Sequence, residues 1–143
     1  MTASEMVIDG LDRFYRGDAA AEIASRFAYP ALVMSPGLTL TASDSDEMCR
    51  MVDLARRALD AIGIVSAKPR LSNTLNVDDD LAVVAVETTR YDSEGRTRGC
   101  HRSNFTIERA VEGWLVRAVS IDDAEANDTD RRAIEDFFTG ARH

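Results

Sequence analysis

The sequence predicts an α+β fold in which a curved antiparallel sheet wraps over N-terminal helices. Three observations carry that reading. Residues 81–121 break into three candidate strands, 81–91, 97–109 and 114–121, divided by polar turns at Asp92-Ser-Glu-Gly95 and Glu112-Gly113. Leu81-Ala-Val-Val-Ala-Val86 is apolar, rich in valine and too short for an ordinary helix. The residues before this meander read mainly as helix and none interrupts 64–121, so the helices are left to cover one face of the sheet.

Thr2-Ala-Ser-Glu5 has the spacing of a capping box, in which hydroxyl and carboxylate satisfy free backbone N–H groups. Met6, Leu11, Phe14 and Tyr15 follow at near-helical intervals, so a first helix is expected to run to about Arg16 and stop at Gly17. Asp18 caps a second, shorter helix, expected from Ala19 to about Phe27, with Ile23 and Phe27 on one face. Pro30 then forces extension. Ala31-Leu-Val-Met34 and Leu38-Thr-Leu-Thr41 flank Ser35-Pro36-Gly37, a hairpin turn in which proline fixes φ and glycine frees it. Ser43-Asp-Ser-Asp-Glu47 places acids and hydroxyls where they bind free N–H groups and oppose a helix dipole. The third helix that follows has Met48, Met51, Ala55, Ala58, Leu59 and Ile62 as its apolar stripe and Gly63 as its stop. Residues 64–77 read as extended, and Pro69 within them marks an edge or bulged strand.

At 143 residues the chain suits one domain over 1–143, with a core at 6–122 and an acidic tail at 123–143. Within the tail, 129–138 has a helical pattern that turns Ile134, Phe137 and Phe138 inward. Seventeen Lys and Arg against 25 Asp and Glu give a net charge of -8. That balance argues against nucleic acid and against an anionic membrane as partners, because both reward neutralising cations. No apolar run approaches membrane length, Met1 to Met6 lacks a basic n-region, and a cytoplasmic protein is expected. Cys49 and Cys100 have no CxxC spacing and read as buried thiols of a reducing compartment, a disulfide between them staying open. No metal or other cofactor is expected. His101 and His143 are far apart, and Asp78-Asp-Asp80 reads as a solvated turn. Gly99-Cys-His101 puts thiol and imidazole on opposite faces of a strand.

Strand alternation separates the faces of residues 97–109. His101, Ser103, Phe105 and Ile107 form the more apolar set and are expected to face inward, leaving Arg102, Asn104, Thr106 and Glu108 outside. In 81–86 both alternations are apolar, which implies that both sides are covered: one by the helices, the other by a second copy of the chain. A homodimer through the sheet is therefore expected.

The order helix, helix, hairpin, long helix, then four strands resembles the nuclear transport factor 2-like superfamily. This is the cone-shaped, cystatin-like α+β fold shared with ketosteroid isomerases and polyketide cyclases. The resemblance covers 6–122 and is carried by Phe14-Tyr-Arg-Gly-Asp18, Tyr29-Pro30, the acidic run Ser43 to Glu47, Tyr91-Asp-Ser-Glu-Gly95 and Gly113-Trp-Leu-Val116. Acidic secretion chaperones also mix helices with a curved sheet, but their strands are interrupted by a helix. The resemblance implies a pocket between the concave sheet face and the helices. Aligned on Tyr91, it turns Leu81, Val83, Ala85 and Glu87 toward that pocket. A carboxylate there is either paired, with Arg102, Arg117 or His101, or has its pKa raised by desolvation.

Candidate ligand-binding residues are then Tyr15, Phe27, Tyr29, Met34, Met51, Glu87, His101, Ser103, Phe105 and Trp114, with Glu87 and His101 as the catalytic candidates. The isomerase chemistry itself is not supported. Residues 31–37 contain no Asp or Glu to serve as the base, and Leu11 stands where a tyrosine is needed. The expected function is binding of a small apolar or amphipathic molecule inside the cone. The alternatives are an isomerase, cyclase or lyase using Glu87 and His101, and an assembly domain without a ligand.

Overall fold

The computed structural model describes residues 1–122 together with 132, 134, 136, 138 and 139. Helices α1 (Ala3–Arg16) and α2 (Ala20–Ala24) precede a hairpin of β1 (Phe27–Ser35) and β2 (Leu38–Ala42). Then come α3 (Ser45–Ala61), β3 (Ile64–Asp78), β4 (Leu81–Asp92), β5 (Thr97–Ala110) and β6 (Gly113–Asp122). The strands form one six-stranded sheet in the order β2-β1-β6-β5-β4-β3.

The helix boundaries follow from their caps. Thr2 accepts the Glu5 N–H at 3.2 Å and Asp44 accepts the Glu47 N–H at 2.9 Å, each satisfying a donor that the first helical turn leaves free. Gly17, at φ 92°, ends α1 in the left-handed conformation that glycine adopts without Cβ strain. The second helix is shorter than its sequence pattern implies. It ends at Ala24, and Phe27 opens β1, where it pairs with Val116 of β6.

All neighbouring strands are antiparallel except β1 and β6, which run parallel and shift register between Phe27 and Leu32. Pro30, which has no N–H to give a ladder, lies in that irregular stretch. The β3 strand carries Pro69 and forms one edge of the sheet, as expected of it.

One irregularity governs the site. Tyr91 pairs with Thr97, but Thr89 pairs with Cys100, so β5 contributes one more residue than β4 across this stretch. Gly99 sits in the extra length at φ 107°, and such a bulge bends the strand and re-aims its side chains. Beyond it, Val84, Val86 and Thr88 of β4 meet Phe105, Ser103 and His101 of β5 on one face. Met6 and Val7 of α1 cover that face, joining Ala82, Val84, Val86, Phe105 and Ile107 in the main apolar cluster. A second cluster joins Ile23 and Ala24 to Ala31, Ala42, Met48 and Val52, fixing α2 and α3 over the hairpin.

Candidate functional site

Between the helices and the concave sheet face lies a cavity of about 260 Å³. Leu11, Phe14 and Tyr15 reach it from α1, Met48, Met51 and Val52 from α3, and Phe27 and Val33 from β1. Its floor is His101, Ser103 and Phe105 of β5 with Val116 and Val119 of β6, and Ile134 and Phe138 also line it. Those two belong to the C-terminal helix expected from the sequence. Phe137 and most of that segment lie outside the described residues.

Several polar groups meet on the wall made by β4 and β5. Alternation along β4 carries the inward set from Val84 through Val86 and Thr88 to Arg90, whose guanidinium donates from Nε to the Tyr15 hydroxyl at 3.4 Å. Its Nη2 lies 3.4 Å from His101 Nε2. Arginine is only a donor, so this contact assigns His101 the neutral tautomer, with Nε2 accepting and the proton on Nδ1. Burial, and after it the charge of Arg90, pushes the His101 pKa down to about 3. The imidazole is thus neutral throughout the physiological range. Its Nδ1 and the Thr88 hydroxyl opposite are buried polar atoms without hydrogen-bond partners among the described residues.

The arginines that line the cavity differ in their partners. Arg26 pairs with Asp9 at 2.7 Å, and the hydrogen bond from Arg13, with that from Arg26 after it, holds the Asp9 carboxyl below the usual carboxylate range. Arg98 is engaged as well. Arg90 has Tyr15 and His101, both neutral, and meets no carboxylate among the described residues.

Of the residues singled out in the sequence, Tyr15, Phe27, Met51, His101, Ser103 and Phe105 come together around the cavity. Tyr29, Met34, Glu87 and Trp114 do not. The Tyr29 hydroxyl donates to the Ala24 carbonyl at 2.6 Å, and Val33 takes the cavity side of β1 in place of Met34. Trp114 lies under the Arg109 guanidinium, 4.5 Å from ring centre to carbon, at a separate surface depression.

Glu87 requires the main correction. It faces away from the helices, paired with Arg70 and, at 3.6 Å, with Arg102. Continued unbroken from the Tyr91–Thr97 pair, antiparallel pairing would set Glu87 opposite His101. The bulge at Gly99 sets it opposite Arg102 and sets His101 opposite Thr88. The same offset turns Leu81, Val83 and Ala85 outward and brings Arg90, absent from the sequence-based set, into the cavity. Glycine inside a strand pattern is the one sequence signal that points to this bulge.

Cys49 and Cys100 are free and half-buried rather than fully buried, and Cys100 borders the cavity. Among the described residues no three His, Cys, Asp or Glu side chains cluster as metal ligands, and no helix is long and apolar enough to cross a membrane.

Residues 10–124 match the family described as NTF2-like protein (DUF6841). Comparison with curated proteins gave no match. Among solved structures the chain is similar to a ketosteroid isomerase-like protein from Erwinia carotovora atroseptica, with a TM-score of 0.59 and 17% identity over 82% of this chain and 89% of that one. It is similar to an NTF2-like protein with a cystatin-like fold from Novosphingobium aromaticivorans, with a TM-score of 0.65 and 18% identity over 91% and 84% of the two chains. It is also similar to a domain of unknown function with a cystatin-like fold from Nostoc punctiforme, with a TM-score of 0.65 and 14% identity over 99% and 98%. At these identities the likeness speaks for the fold alone, the cone expected from the sequence. The family match spans most of the sequence, and the chain belongs to the NTF2-like protein family (DUF6841).

Proposed function

We propose that the protein binds a small amphipathic molecule inside the cone. The observation that carries this reading is a cavity of about 260 Å³ with a mostly apolar lining into which Tyr15, Arg90, His101 and Ser103 converge. Pockets for small molecules have this character, a mostly apolar lining with a few convergent polar groups, and this volume lies just below their usual range of about 300–1,000 Å³. Binding accounts for the site better than proton transfer by Glu87 and His101. The two lie on opposite faces of the sheet, and an imidazole with a pKa of about 3 is a weak base near neutral pH.

A thermal-stability screen of amphipathic metabolites tests the reading. Ligand at about 100 times its Kd adds roughly 2.7 kcal/mol to unfolding, and Met51→Trp, which fills the cavity, removes the effect. Compounds that stabilise both proteins equally, or none that stabilises the unsubstituted chain, would count against a site in the cone. The reading includes a homodimer through the outer sheet face, where Val83 lies opposite the exposed Leu75. A monomer mass in sedimentation equilibrium would remove it.

A further inference from the structure

Arg90 is a charge placed where an apolar lining gives it little reason to be. It arrives there through the bulge at Gly99, which puts Val84, Val86, Thr88 and Arg90 on the same face as His101 and Phe105. Several other arginines of this chain hold carboxylates: Arg26 with Asp9, Arg96 with Asp92, Arg117 with Glu108. Arg90 instead donates to a phenol oxygen and an imidazole nitrogen, neither of which carries charge. A guanidinium among apolar groups lacks the counter-charge that normally offsets the loss of hydration. The Tyr15 hydroxyl, since it accepts from Arg90 Nε, still has its own proton to donate. A planar guanidinium beside a hydroxyl donor is the geometry that recognises a carboxylate.

We infer that the ligand is a small carboxylic acid, its carboxylate on Arg90 and Tyr15 and its apolar body against Phe105, Met51 and Phe27. This rests on the cavity being a binding site. The volume limits the body to a single ring or a short chain, since 260 Å³ equals roughly nine waters at about 30 Å³ each. A single guanidinium, Arg90, that meets no carboxylate among the described residues matches a monoanion.

The test uses two matched sets of probes, phenylacetate, phenylacetamide and phenethyl alcohol, and hexanoate, hexanamide and hexanol, titrated calorimetrically into the full chain. Both acids are expected to bind at least about tenfold tighter than their amides and alcohols, the worth of one charge-assisted hydrogen bond. Arg90→Gln is expected to abolish that preference, so that acid, amide and alcohol of each set bind alike, and Arg90→Lys, which keeps the charge, to retain part of it. Equal affinities for acid and alcohol in the unsubstituted protein, a comparison that needs no variant to fold, would overturn the carboxylate and leave the cavity reading intact. A preference that survives in Arg90→Gln would do the same. Failure of all six probes, alcohols included, would overturn the cavity reading itself.

Discussion

Acidification probes the buried imidazole of His101 directly. In the unfolded chain a histidine takes up its proton near pH 6.5, whereas in the folded protein burial and the neighbouring Arg90 hold the pKa to about 3. Between those values the unfolded state binds a proton that the folded state refuses, so stability is complete above pH 6.5 and falls as the pH drops toward 3. At about 1.4 kcal/mol per unit, lowering the pH from 7.5 to 5 removes roughly 2 kcal/mol. Asp9, Asp18 and Asp92 are held below the ordinary aspartate value by their arginine or backbone partners, so the stability they supply is lost only at lower pH. Urea denaturation followed by circular dichroism across this range, on the unsubstituted chain and on His101→Asn and His101→Phe, gives the comparison. The substituted proteins are expected to show a stability profile flatter by about 2 kcal/mol, whatever their absolute stability. Parallel profiles would refute the burial argument and with it the neutral tautomer that orients Arg90.

Other substitutions separate the two faces of the sheet. Glu87→Gln breaks pairs with Arg70 and Arg102, both well exposed, and is expected to cost under about 1 kcal/mol in urea denaturation. It leaves phenylacetate affinity unchanged, and a variant that bound no phenylacetate would return Glu87 to the cavity. Ile107→Ala empties a fully buried position in the main cluster and is expected to cost about 2–5 kcal/mol, with a loss below about 1 kcal/mol counting against tight packing there.

The elements were legible in the sequence where local chemistry decides them. The caps at Thr2 and Asp44, the stop at Gly17 and the Ser35-Pro36-Gly37 turn act within a few residues of themselves, and each lies where its pattern puts it. The floor residues His101, Ser103 and Phe105 were legible too, because β5 is apolar on one face only. What the pattern left open was long-range. The second helix stops early because Phe27 enters the sheet, parallel to a strand some ninety residues later in the chain, and no local signal reports that pairing. Strand β4 is apolar on both faces through Val86, so alternation alone does not choose between Glu87 and Arg90 for the cavity. The choice is made by the offset between two strands, a property of the pair and of neither strand alone.

That extra residue makes the length of one strand a determinant of how far the sheet curls. Removing a single residue beside Gly99 would carry the ladder unbroken from Tyr91 and Thr97 to the same partners as now, Thr89 with Cys100 and Thr88 with His101, so the wall would keep its side chains and lose its bend. Within this family, relatives lacking that residue are therefore expected to keep the same set of side chains on the wall, on a flatter sheet that curls less around the space above it.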